Sequence, residues 1–249
     1  MNYGGIFVVL RLLFAAAVMV ECIFTPLYLK ALWPQKCFKS LCLKMVCSAM
    51  FFSVGILSLF IAENNTEYAY TVIAALALGW VGDYFLHAKG TQTYFIIGFI
   101  SFLLGHVVYI TAFLRRLALE FPEAGLVNVP GAVAFAVIAV TSVIIACALK
   151  MKFSPHALKY ACAFYAVILI TMFIKASELG IRFYMTGSSG GLAAAVIIIS
   201  GSFLFLLSDA SLAVILFGGK KGSYPLKIFN IATYFPAQVL LAATILFFK

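Results

Sequence analysis

Long apolar runs separated by short polar segments dominate the chain. Polar or Gly/Pro breaks divide it into eight runs: Gly5–Leu29, Leu41–Ala62, Ala69–His87, Thr93–Leu114, Leu126–Leu149, Ala157–Ser177, Gly190–Phe217 and Leu226–Phe248. A helix needs about 20 mostly apolar residues to cross a bilayer. The pattern therefore predicts an all-α polytopic bundle of eight transmembrane helices. The joining segments are short, so residues 1–249 are expected to form one domain with no appended soluble part. No cleavable signal peptide is expected, because the first run is long enough to span, lacks a basic flank and contains Arg11.

Composition narrows the class further. Of 249 residues, 65% are hydrophobic and 10% are charged. A soluble domain carries about 25% charged residues, and a disordered chain is poor in apolar ones, so both classes are excluded. The net charge of +9 is read as basic loops rather than as a nucleic-acid surface. Lys30, Lys36, Lys39, Lys89, Lys150, Lys152, Lys159, Lys220, Lys221 and Lys227 fall in or beside odd-numbered loops. Arg115, Arg116, Arg182 and Lys249 fall on the other side. The positive-inside rule then predicts a multi-pass protein with cytoplasmic odd loops and both termini on the non-cytoplasmic side. Asn64-Asn65-Thr66 is a glycosylation sequon on that outer side. Cys37, Cys42 and Cys47 are spaced by five, which is neither a metal nor a redox pattern.

Candidate chemistry concentrates in the inner half. The chain has two aspartates, Asp83 and Asp209, and both lie inside runs. A carboxylate at the bilayer centre costs about 2.5–3.5 kcal/mol on insertion scales, so idle ones are rare. Spans three and seven cross in the same direction, so the two carboxyls are expected at similar depth, facing each other if the helices are neighbours. Glu21, Lys44 and Ser208 occupy the same half, and Glu21 is a candidate partner for Lys44. Asn230, Tyr234 and Gln238 recur every four residues on one helix face, and His106 and Tyr109 sit deeper. Arg11 and Lys175 are the charged residues expected in the outer half. Together these residues predict a polar cavity opening toward the cytoplasm.

Two carboxyls in a low-dielectric site take different protonation states, which gives a general acid beside an anion. That pair suits hydrolysis through an oxocarbenium-like cation. A zinc site is the weaker reading: Asp83 and His87 are four apart, but a third ligand would have to be His106 or Asp209. No metal and no cofactor are expected. The rival readings are a transporter or lipid-binding membrane protein using the carboxylates as proton or ion sites, and a metal-dependent lipid hydrolase.

Four ordered segments resemble the YhhN-like lysoplasmalogenase family of eight-span membrane proteins. Span three reads Leu78-Gly79-Trp80-Val81-Gly82-Asp83-Tyr84, like the family's Gly-Asp segment. Span four carries Gly98, Phe102, His106 and Tyr109 in the family's Gly-x3-Phe-x3-His-x2-Tyr spacing. Span seven has Phe205-Leu206-Leu207-Ser208-Asp209, and span eight has Tyr234-Phe235-Pro236-Ala237-Gln238. The chain departs from the family at Gly79, where a Ser is common, and at Met45, where a Pro often follows the span-two Lys. The resemblance implies hydrolysis of the vinyl ether bond of lysoplasmalogen, giving a fatty aldehyde and glycerophospho-ethanolamine or -choline. It implies catalytic Asp83 and Asp209, a substrate-binding set of Glu21, Lys44, His106, Tyr109, Ser208, Asn230, Tyr234 and Gln238, and Lys44 near the substrate phosphate. The expected partners are a lysophospholipid and the lipid bilayer, with no nucleic acid.

Overall fold

The computed structural model describes residues 3–63, 66–88, 90–154 and 156–248. Asn64 and Asn65 of the sequon, and Lys89 and Lys249 of the charge count, lie outside the described residues. Eight α-helices follow in order: α1 Tyr3–Leu32, α2 Phe38–Ala62, α3 Glu67–His87, α4 Gln92–Glu120, α5 Val129–Ala148, α6 Ala157–Met185, α7 Gly191–Phe217 and α8 Tyr224–Ala243, with a short 3-10 turn at Thr244–Leu246. Each α-helix is long and apolar enough to cross a membrane, the pattern of a multi-pass membrane protein.

Local chemistry sets the helix ends. At the start of α2, Cys37 and Ser40 cap each other: the Ser40 amide donates to Cys37 Sγ and the Cys37 amide to Ser40 Oγ. Asn128 caps α5 through the Gly131 amide at 2.7 Å, with Pro130 in the first turn. α4 and α6 run past their expected ends at Leu114 and Ser177. Charged pairs one turn apart carry them on: Arg116 with Glu120, and Glu178 with both Lys175 and Arg182. Arg115, Arg116 and Arg182 therefore lie in helices rather than loops.

The helices close a ring in the order α2, α3, α4, α6, α7, α8, with α8 also reaching α1 and α3. α1 packs outside the ring on α2 and α8, while α5 packs on α6 and has no buried residue. One end of the bundle is rich in lysine. There the Lys152 amide bonds the Phe217 carbonyl at 2.9 Å, and Trp33 meets Tyr224. The opposite end carries Arg115 paired with Glu67, Arg182 near Glu123 at 3.4 Å, and Tyr68 bonded to Thr244. At the lysine-rich end the buried His87 ring ties three helices together. Its Nδ1 is 3.2 Å from Tyr28 Oη of α1 and its Nε2 is 2.8 Å from Ser40 Oγ of α2. Since Ser40 Oγ donates to the Cys37 carbonyl, the consistent assignment has Nε2–H donating to Ser40 and Tyr28 donating to Nδ1.

Candidate active site

Asp83 is 1% exposed and carries the best-supplied carboxylate in the bundle. It sits about one turn from the end of α3, facing α2 and α8. Lys44 Nζ lies 2.8 Å from Oδ1. Ser48 Oγ donates to Oδ2 at 2.6 Å, and Tyr234 Oη donates to the same oxygen at 2.8 Å. Lys44 and Ser48 are four residues apart, so one face of α2 presents both. Behind Tyr234 the bonds continue across α8 to α4. Gln238 Nε2 donates to Tyr234 Oη at 3.1 Å, and Tyr109 Oη donates to Gln238 Oε1 at 3.1 Å. The donors from Tyr109 through Gln238 and Tyr234 thus run toward Asp83, and Ser48 Oγ is within reach of both Asp83 Oδ2 and the Lys44 carbonyl.

Gly79 lies one turn before Asp83 and makes room for the Gln238 amide. A Cβ at this position would stand 2.6 Å from Gln238 Nε2. The amide therefore occupies the volume in which a residue 79 side chain would project.

Asp209 belongs to a second cluster. Tyr165 Oη of α6 donates to Asp209 Oδ2 at 2.5 Å. His106 Nε2 of α4 is 3.0 Å from the same oxygen and 2.8 Å from Tyr165 Oη. His106 Nδ1 faces Met172 Sδ at 3.2 Å. Nε2 thus lies within hydrogen-bond reach of both the Tyr165 hydroxyl and the Asp209 carboxyl, and the tautomer decides whether it donates or accepts. The Asp209 side chain keeps about 10% exposure, while His106 is buried. One aspartate is thus held by an ammonium and two hydroxyls, and the other by an imidazole and a phenol.

The two carboxyls do not face each other across a direct helix contact. α8 packs against both α3 and α7, and its Tyr234 stands in the gap. The Tyr234 ring is 5.7 Å from Phe205, which is 4.7 Å from the His106 ring. An aromatic pair therefore joins the clusters, and no hydrogen bond links the two aspartates among the described residues.

The remaining candidates divide. Tyr234, Gln238, Tyr109 and Lys44 join Asp83, and His106 joins Asp209. Ser208 and Asn230 bind each other instead, through Asn230 Nδ2 to the Ser208 carbonyl at 2.8 Å, and so tie α7 to α8. Glu21 does not pair with Lys44. It accepts from Thr25 at 3.4 Å, and its Oε2 is buried without a partner. His87, a candidate metal ligand with Asp83, is held by Tyr28 and Ser40. Lys175 pairs with Glu178 at 2.7 Å. No group of three or more His, Cys, Asp or Glu among the described residues converges closely enough to hold a metal ion.

Two members of these clusters were not foreseen from sequence. Ser48 carried a usable signal, the four-residue spacing from Lys44. Tyr165 carried none, being one aromatic residue in an aromatic-rich span.

A family model described as the YhhN family matches residues 40–245. No curated protein and no solved structure matches the chain. The match covers both aspartate clusters and leaves α1, with Glu21 and Tyr28, outside.

Proposed function

This chain belongs to the YhhN family, and from that premise we propose that it is a membrane hydrolase that cleaves the vinyl ether bond of lysoplasmalogen. The observation that carries this reading is the unlike bonding of its two intramembrane aspartates. Asp83 accepts from Lys44, Ser48 and Tyr234, while Asp209, more exposed, meets the His106 ring and the Tyr165 hydroxyl. Acid-catalysed ether hydrolysis needs these two roles, a proton donor and a fixed negative charge for the cation that forms.

In this mechanism the Asp209–His106 pair delivers its proton to the vinyl carbon distant from the ether oxygen. The carbon bearing oxygen becomes an oxocarbenium ion. Asp83 stabilises that positive charge and then accepts a proton from the attacking water. The resulting hemiacetal loses its ether oxygen as the glycerol hydroxyl, and the carbonyl that forms is the fatty aldehyde. The proton held by Asp83 passes to the leaving oxygen, and the hydroxyl proton of the hemiacetal returns to the Asp209–His106 pair as the carbonyl forms, so water supplies both protons and the acid is restored. Tyr165 and Tyr234 orient the two carboxyls. Lys44 serves as the counter-ion of Asp83 rather than as a phosphate ligand, because its ammonium is already engaged at 2.8 Å. The lysine-rich end is assigned to the cytoplasm, so the lysophospholipid enters from the inner leaflet.

The test is aldehyde release by the purified protein in detergent. Lysoplasmalogen and its saturated ether analogue are supplied in parallel, with and without EDTA. Aldehyde from the vinyl ether only, at an EDTA-independent rate, is expected. Aldehyde from neither substrate would remove the hydrolase reading, and loss of activity with EDTA would remove the metal-free mechanism.

A further inference from the structure

At the lysine-rich end, two ammonium groups stand in front of the Asp83 cluster without a carboxylate. Lys36, in the α1–α2 connection, donates to the Leu86 carbonyl at 2.6 Å. Leu86 lies in the last turn of α3, where carbonyls lack helical partners. Lys227, near the start of α8, places its ammonium 5.4 Å from the centre of the Trp33 ring. Trp33 in turn meets Tyr224 with ring centres 4.7 Å apart. No salt bridge among the described residues joins Lys36 or Lys227 to an acidic side chain. Trp33 remains 44% exposed, so this cationic corner is open to a ligand.

We propose that Lys36 and Lys227, beside Trp33, form the docking site for the phosphate of a lysophospholipid headgroup. The inference rests on the lysophospholipid reading above and adds which residues recognise the headgroup. The first argument is charge. Lys44 is neutralised by Asp83, so an arriving phosphate meets Lys36 and Lys227 as its free cations. Crowding of the Lys36 ammonium end against the bundle, followed by the like charges of Lys44 and Lys227, lowers its pKa to about 8 although its stem is exposed. A bound anion would relieve that mutual repulsion.

The second argument is length. Three residues separate Asp83 from Leu86, a rise of about 4.5 Å along α3. In a lysoplasmalogen, five bonds separate the phosphorus from the vinyl ether oxygen, a span of roughly 6 Å at ordinary bond lengths. Lys36 Nζ stands a further 2.6 Å from the Leu86 carbonyl oxygen, so a phosphate there leaves the vinyl ether on the approach to Asp83. The third argument is the aromatic pair. Trp33, packed on Tyr224, lies under the Lys227 ammonium and steadies that cation at the position where the phosphate docks.

The test measures binding by the full chain in a neutral detergent, by calorimetry. The probes are a saturated 1-alkyl lysophosphatidylcholine and the matching phosphate-free 1-alkylglycerol, neither of which has a vinyl ether to cleave. The wild-type protein is expected to prefer the phospholipid. The Lys36→Gln/Lys227→Gln double variant is expected to bind it about tenfold or more weakly, in line with two lost charge-assisted contacts, so that the preference collapses. The Lys36→Arg/Lys227→Arg variant is expected to keep the preference and serves as the folding control. An unchanged preference in the Gln variant would overturn the proposal. Displacement of the lipid by inorganic phosphate alone at millimolar concentration would reassign the site to free phosphate and overturn it as well. Because neither probe is hydrolysed, a failed aldehyde assay with an intact binding contrast would count against the reaction and not against this site.

Discussion

The Lys44 ammonium and the Asp83 carboxylate lie 2.8 Å apart where neither side chain is more than 10% exposed. Removing one partner of such a pair leaves an uncompensated buried charge, which costs about 3–5 kcal/mol. Lys44→Met should therefore lower the melting temperature in detergent markedly. The double variant Lys44→Met/Asp83→Asn should recover much of the loss, because it removes both charges. Unchanged melting in the single variant would refute the pairing.

Asp83→Asn and Asp209→Asn should each reduce aldehyde release by about 100-fold or more, the lower range for a lost acid–base group. The two should differ in stability. Asp83→Asn leaves Lys44 facing a neutral amide in a closed site, whereas Asp209→Asn keeps neutral donors around a partly exposed group. Near-normal turnover in either variant would sink the two-carboxylate mechanism.

Tyr165→Phe removes one short hydrogen bond to Asp209 and leaves the ring packing against Phe99 and His106 intact. A hydrogen bond to a charged group is worth about 1.5–3 kcal/mol. The expected result is a kcat reduced by about tenfold or more with KM little changed. A variant that loses only KM would place Tyr165 in substrate binding instead.

Much of this arrangement was readable before any coordinates. The eight spans follow from apolar run length, and the costly carboxylates marked α3 and α7 as the helices to watch. What periodicity could not give was which helix faces which. Glu21 is the partner the sequence suggests for Lys44, and helical spacing does not reveal that α2 turns Lys44 toward Asp83 instead. α2 packs on both α1 and α3, and only the side-chain geometry assigns the ammonium to Asp83. Likewise α3 and α7 run in the same direction, yet α8 lies between their carboxyls, and nothing along the chain announces that order. Helix ends were misread wherever charged residues continued the helix beyond its apolar stretch, as at Glu120 and Met185.

Gly79→Ala should act through Gln238. The added methyl would stand 2.6 Å from the amide nitrogen, so the side chain must move and release Tyr234. A stability loss of about 1–3 kcal/mol is expected for overpacking of this kind, together with a lower kcat from a misaligned Asp83. Gly79→Ala/Gln238→Ala should relieve the clash without restoring kcat or stability, because the Tyr109 hydroxyl loses its acceptor and Tyr234 its donor. Full activity in Gly79→Ala would show that the Gln238 bond does not matter to the site.

The run from Tyr109 through Gln238 and Tyr234 to Asp83 has a consequence for traffic through the bundle. Hydroxyls relay protons readily by exchanging the bond they donate for the one they accept. A carboxamide does not, because its nitrogen only donates and its oxygen only accepts. Gln238 is therefore an insulator set in a line of conductors. A proton entering this line at Tyr109 is not passed to Tyr234 or Asp83 by exchange along these bonds. The line can thus anchor the Asp83 carboxylate from α8 and α4 without being a route for its proton.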